Sequence, residues 1–138
     1  MAGTDRKVIT SSQAPQPLGA YSVGMSVSPG KLVYVAGQVS VDSGGNLVGK
    51  DDVVAQTRQA LQNIGHVLAA AGATFNDVVE FTTYVVGRSS VQGYIQGRSE
   101  VYPGMFPDGD FPPNTLLVVA GLVNEDFLVE IKAVAALP

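Results

Sequence analysis

The sequence predicts a single α+β domain, a mixed sheet carrying two helices on one face. Extended and helical segments alternate in the order β-β-α-β-α-β-β, which suits a sheet whose helices gather on one side. Only two segments read as helical, so they can cover only one face. The chain of 138 residues is also 46% hydrophobic and 14% charged, against roughly 25% charged in ordinary soluble domains. So apolar a chain is expected to bury its second sheet face against another copy, because large apolar patches are rare on monomers.

Residues 1–7 read as a flexible tail on a domain spanning 1–138. The segment 11–24 holds Pro15, Pro17, Gly19 and Gly24, and is expected to be a shaped loop. Two strands come next, at 25–28 and 31–36, joined at Pro29-Gly30, a pair that favours a tight turn. A third extended piece, 38–42, runs into the turn cluster Ser43-Gly44-Gly45-Asn46. Over 51–71, Val53/Val54, Ala60/Leu61, Ile64 and Val67/Leu68 recur at three- and four-residue spacing and predict a helix. Asp51 and Asp52 suit the positive end of its dipole. Gln56, Arg58, Gln59, Gln62 and Asn63 are expected on its polar face.

The β-branched and aromatic run at Val78–Val86 predicts a strand. Val91–Met105 predicts a second helix. Gly93 and Gly97 weaken it, yet they leave a smooth strip where another backbone can come close. Pro103, Pro107, Pro112 and Pro113 stiffen the connection from this helix to the next strand. Strands at 115–122 and 127–135 flank a turn at Asn124-Glu125-Asp126. The first of these does not alternate polar with apolar residues and is expected to be buried on both sides.

A net charge of −4, a pI near 4.7 and eight scattered basic residues argue against nucleic acid as a main partner. The absence of cysteine excludes disulfides and thiol chemistry, and a single histidine argues against a metal site. No Ser/His/Asp arrangement, GxGxxG or P-loop spacing occurs, so no cofactor is expected. The N-terminus lacks the apolar stretch of a secretory signal, and the apolar run 116–123 is too short to span a bilayer. The expected location is the cytoplasm, without membrane attachment.

Five segments, in order, resemble the motifs of the RidA/YjgF family, also called the L-PSP endoribonuclease family. APQPLGAYSVG is similar to its "AP…GPYSQA" loop, with Tyr21 at the tyrosine position and Ala20 for the usual proline. Ala36-Gly37-Gln38 stands where the family has "SGQ", without the serine hydroxyl. ALQNIGHVLAAAGATFNDVV is similar to the family's helix and turn, and VEIKAVAA to its "IEIEA.A", with Glu130 at the first acidic position and Lys132 at the second. FPPNTLLVVAG resembles the proline-rich turn and strand, but Asn114 stands where the family carries an arginine. The resemblance implies a chorismate-mutase-like homotrimer with three clefts between subunits. In deaminating members the arginine binds the carboxylate of an imine, water adds to the C=N carbon and ammonia leaves.

Guanidinium matches a carboxylate with two parallel donors, and such charge-assisted pairs are stronger than neutral ones. Asn114 keeps a donor but neither charge nor reach, so hydrolysis of carboxylate-bearing imines is expected to be inefficient. The candidate ligand contacts are Tyr21, Gly37, Asn114 and Lys132, with Glu130 orienting water. Each has a simpler reading. Tyr21 is then loop packing, Gly37 a bulge, Asn114 a turn residue, and Glu130 the ion-pair partner of Lys132. Lys132 is also a candidate for the missing positive charge. His66, Arg58 and Arg98 are expected on solvated helix faces. Three functions stay open: a small-metabolite site with little imine hydrolysis, a deaminase of atypical substrates, and an RNA-cleaving or chaperone-like protein.

Overall fold

A computed structural model describes residues 5–28 and 30–138. Its strands are β1 (Asp5–Ile9), β2 (Gly24–Ser28), β3 (Lys31–Gln38), β4 (Val78–Val86), β5 (Asn114–Val119) and β6 (Val129–Leu137). Helix α1 (Val53–Ala70) precedes β4, and α2 (Val91–Met105) comes after it. The main sheet has the order β3-β6-β4-β5, parallel only between β4 and β5, so it is mixed as expected.

Period-two burial fixes the faces of this sheet. Phe81, Thr83 and Val85 of β4 and Val129, Ile131, Ala133 and Ala135 of β6 are buried, facing the helices. Helix α1 packs its buried stripe of Ala60, Leu61, Ile64 and Leu68 on β3 and β6. Each fully buried Leu or Ile contributes about 1.5–3 kcal/mol. Asp52 begins the helix, its carboxylate accepting from the Ala55 amide at 3.0 Å. Helix α2 lies beside α1 and meets β4 through Tyr102, whose ring stacks on Phe81. A Cβ on Gly93 would lie 2.9 Å from Val53 Cβ, and one on Gly97 2.8 Å from Thr57 Cβ and 2.9 Å from the Val54 carbonyl. The two glycines therefore let the helices touch, as their spacing predicts.

Three expectations need correction. Residues 5–7 are no tail: they belong to β1, which pairs antiparallel with β2, and Arg6 donates to the carbonyls of Val78 (2.9 Å) and Asp110 (2.8 Å). Residues 1–4 lie outside the described residues, as does Pro29 of the expected turn. Strands β2 and β3 form no hairpin, since β2 pairs with β1 and β3 with β6. Within one chain β5 is an edge strand with Leu117 and Val118 exposed, so the expected burial of its second side would need another copy. Finally, Gln56 is fully buried. Its amide donates to the Gly49 and Asp126 carbonyls, both at 3.0 Å, and its oxygen accepts from the Leu128 amide at 2.8 Å.

The outer face of the sheet is only partly covered among the described residues. Leu32 and Tyr34 of β3 are 44% and 74% exposed there.

Candidate functional site

The turn at Pro112-Pro113 sets Asn114. The Pro113 carbonyl accepts from the Phe81 amide at 2.9 Å, and Asn114 then opens β5 in register with Phe81. Its side chain points to the helix face, where Thr83 Oγ1 donates to Asn114 Oδ1 at 2.9 Å. The Thr83 proton is thereby committed, so the Tyr94 hydroxyl, 3.3 Å away, donates to Thr83. That hydroxyl in turn accepts from Arg98 Nη1 at 3.4 Å. One directed chain therefore runs from Arg98 through Tyr94 and Thr83 to Asn114, leaving the Asn114 NH2 free to donate.

Tyr21 reaches the same place from the loop before β2. Ser22 holds the loop by donating to the Phe111 carbonyl, and the Leu18 amide donates to the Tyr21 hydroxyl at 3.1 Å. Tyr21, Tyr94, Ile95, Arg98, Asn114 and Leu116, with Leu18 and Gly19, line a cleft of about 340 Å³. No carboxylate lines it among the described residues.

Arg98 does not sit on a solvated face, as its sequence position suggested. It is 7% exposed, its guanidinium carbon 5.1 Å from the centre of the Tyr94 ring and 5.6 Å from that of Tyr102. Cation–π attraction offsets part of the cost of burying the charge. Burial pushes the Tyr102 phenol well above its ordinary pKa, with Tyr94 acting the same way and Arg98 opposing. Tyr102 thus stays neutral and supplies no counter-charge. The spacing 94, 98, 102 was the available signal: one helical line, one step round from the glycines that face α1. Arg58, by contrast, is exposed and pairs with Glu100 at 2.6 Å, and His66 is exposed.

Glu130 lies elsewhere. It is in register with Tyr84, an odd number of residues from Phe81, and so occupies the outer face. A bulge between Val35 and Gln38 turns Gly37 to that same face, where any Cβ would collide with the Glu130 carboxylate. Gly37 is thus both a bulge and the position that admits Glu130. Lys132 shares the outer face, but no ion pair joins it to Glu130; among the described residues the one ion pair is Arg58–Glu100. The sequence-derived candidates therefore form two groups within one chain. Tyr21 and Asn114 share the helix-side cleft, and Gly37, Glu130 and Lys132 lie across the sheet.

The family model described as Endoribonuclease L-PSP matches residues 11–137. The chain belongs to this family, that of the YjgF, RutC and Rid proteins. The chain is 38% identical over 136 residues to a 2-iminobutanoate/2-iminopropanoate deaminase of Mus musculus, covering 98% of this chain and 94% of the mouse protein. Among solved structures it is similar to the Rid-family protein YyfB of Yersinia pestis, with a TM-score of 0.86, 33% identity, and 96% and 98% of the two chains covered. It is also similar to E. coli TdcF with bound serine, with a TM-score of 0.70, 26% identity, and 96% and 99% covered. The Rid fold accounts for the mixed sheet with two helices on one side.

Proposed function

We propose that this Rid protein is a homotrimer that binds a small metabolite in clefts between subunits and hydrolyses short carboxylate-bearing imines poorly. The observation that carries this is the state of Asn114. The residue that opens β5 has no charge, and its oxygen is already taken by Thr83. A neutral donor nets about 1 kcal/mol against about 1.5–3 kcal/mol for a charged one. Two features favour clefts shared by subunits. The outer face leaves Leu32, Tyr34 and Leu117 exposed, and Glu130 stands across the sheet from Asn114. A ligand touching both kinds of residue must then take one from a neighbouring chain. The deaminase and the serine-bound protein among the relatives favour an amino-acid-derived ligand.

The test is hydrolysis of 2-iminopropanoate, generated in situ by an amino-acid oxidase, by the native protein and by Asn114→Arg. Little native turnover with a gain in the variant supports the reading. Efficient native turnover overturns the role given to Asn114, and a monomer by light scattering overturns the shared cleft.

A further inference from the structure

The geometry points to Arg98 of α2 as the anion-binding residue of the cleft, which makes the ligand a carboxylate held from the helix side. This deepens the proposal above and rests on its cleft.

Arginine stays protonated at any physiological pH, so its burial cannot be relieved by losing the proton. A buried charge is ordinarily paired. Yet Arg98, 93% buried by its 7% exposure, has no carboxylate within ion-pair distance among the described residues. Among the described residues its Nε is fully buried with no hydrogen-bond partner, and its Nη2 donates no hydrogen bond. Nη2 lies 3.5 Å from where a Cβ of Gly19 would stand, beside the loop that carries Tyr21. Nη1 alone is used, on the Tyr94 hydroxyl.

The unpartnered side-chain groups of the cleft are donors. Arg98 Nη2, with the buried Nε behind it, and the Asn114 NH2 have no acceptor among the described residues, whereas the Asn114 oxygen already accepts from Thr83. Tyr21 and Tyr94 add two rings, and Ile95 and Leu116 an apolar wall. A planar anion with an apolar or aromatic remainder matches this set, and a carboxylate matches the two-pronged guanidinium. Lys132, the sequence-level candidate for the missing charge, stands on the other face of the sheet.

Binding and turnover then separate. Arg98 keeps affinity for carboxylates although position 114 is neutral, but it grips from the helix and not from the strand. Rapid hydrolysis depends on placement, and a shift of about 1 Å can cost about a hundredfold.

The probe is 2-oxobutanoate, the acid left by hydrolysis of 2-iminobutanoate, beside its neutral amide, 2-oxobutanamide. Both are titrated into the native protein and followed by the arginine Nε–H signals in NMR. The Arg98 signal, assigned by its absence in Arg98→Lys, is expected to shift with the acid and not with the amide. Affinity for the acid is expected to fall at least about tenfold in Arg98→Met, and less in Arg98→Lys. The proposal is overturned if the acid shifts other cleft signals and leaves Arg98 unmoved, or if Arg98→Met binds the acid as tightly as native. The native titration decides the matter even where Arg98→Met fails to fold. If Asn114→Arg binds the acid and native does not, Arg98 loses its role while the cleft stands. If neither binds, the cleft reading falls with it.

Discussion

Replacing Gln56 by leucine should destabilise the protein by about 2–4 kcal/mol, although Gln56 sits on a helix stripe that looks solvent-facing in the sequence. Its side chain is 0% exposed and joins three strangers: the Gly49 carbonyl, the Asp126 carbonyl and the Leu128 amide. Each neutral bond nets about 1 kcal/mol, and each buried group left unpaired costs about 1–3 kcal/mol. Leucine nearly matches the volume and recovers part of this by apolar burial. At roughly 2.1 cal/mol/K of unfolding entropy per residue, a loss of about 3 kcal/mol lowers Tm by about 10 °C in a chain of this length. The assay is thermal unfolding at one fixed protein concentration, because any assembly makes Tm concentration-dependent. Gln56→Glu should also destabilise, since a carboxylate would face two carbonyls. A leucine variant melting within about 2 °C of native would refute the reasoning, showing that these three groups find other partners.

Gly97→Ala places a methyl group against Thr57 Cβ and the Val54 carbonyl. Overpacking of about 1–3 kcal/mol outweighs the roughly 1 kcal/mol gained in helix propensity, so a lower midpoint in urea is expected, and a higher one would show that the helices separate freely. The Asp42 carboxylate accepts from the amides of Asn46 and Gly44, chiefly the former, and these hold its pKa below 3.8 against an opposing desolvation. A lowered folded value means the stabilisation is present above about pH 3.8 and is lost as the pH falls through the folded pKa. The Asn46 and Gly44 amide signals should therefore titrate with a midpoint below pH 3.8, and a midpoint at or above that value would contradict the bonding.

The elements set by local chemistry were legible. Val78–Val86 and Val91–Met105 have the bounds expected, because β-branched runs and the glycine strip act at short range. What stayed hidden depends on partners far along the chain. Gln56 bonds residues 70 and 72 positions away, and Arg6 bonds one 104 positions away. The family motifs led to Tyr21, Gly37, Asn114 and Glu130 but not to Arg98. Nothing in a lone arginine between Gly97 and Ser99 says that its helix face is turned to the sheet. The line of Tyr94, Arg98 and Tyr102 carries that information only once α1 is known to take the face with the glycines.

The parity of β4 then decides what one chain can do alone. Phe81 and Tyr84 point to opposite faces, and they pair with Asn114 and Glu130 respectively. The cleft on the helix side is rich in donors and, among the described residues, is lined by no carboxylate, which suits it to hold an anion. The outer face has the carboxylate, admitted by the bulge at Gly37, with Lys132 as its own cation. The Arg98 and Asn114 donors and the Glu130 carboxylate thus stand on opposite faces of one chain. Chemistry that uses an anion anchored by Arg98 together with Glu130 would join the helix side of one copy to the outer face of another. On that view the neutral residue at 114 leaves the two halves in place and changes only the point from which the anion is held.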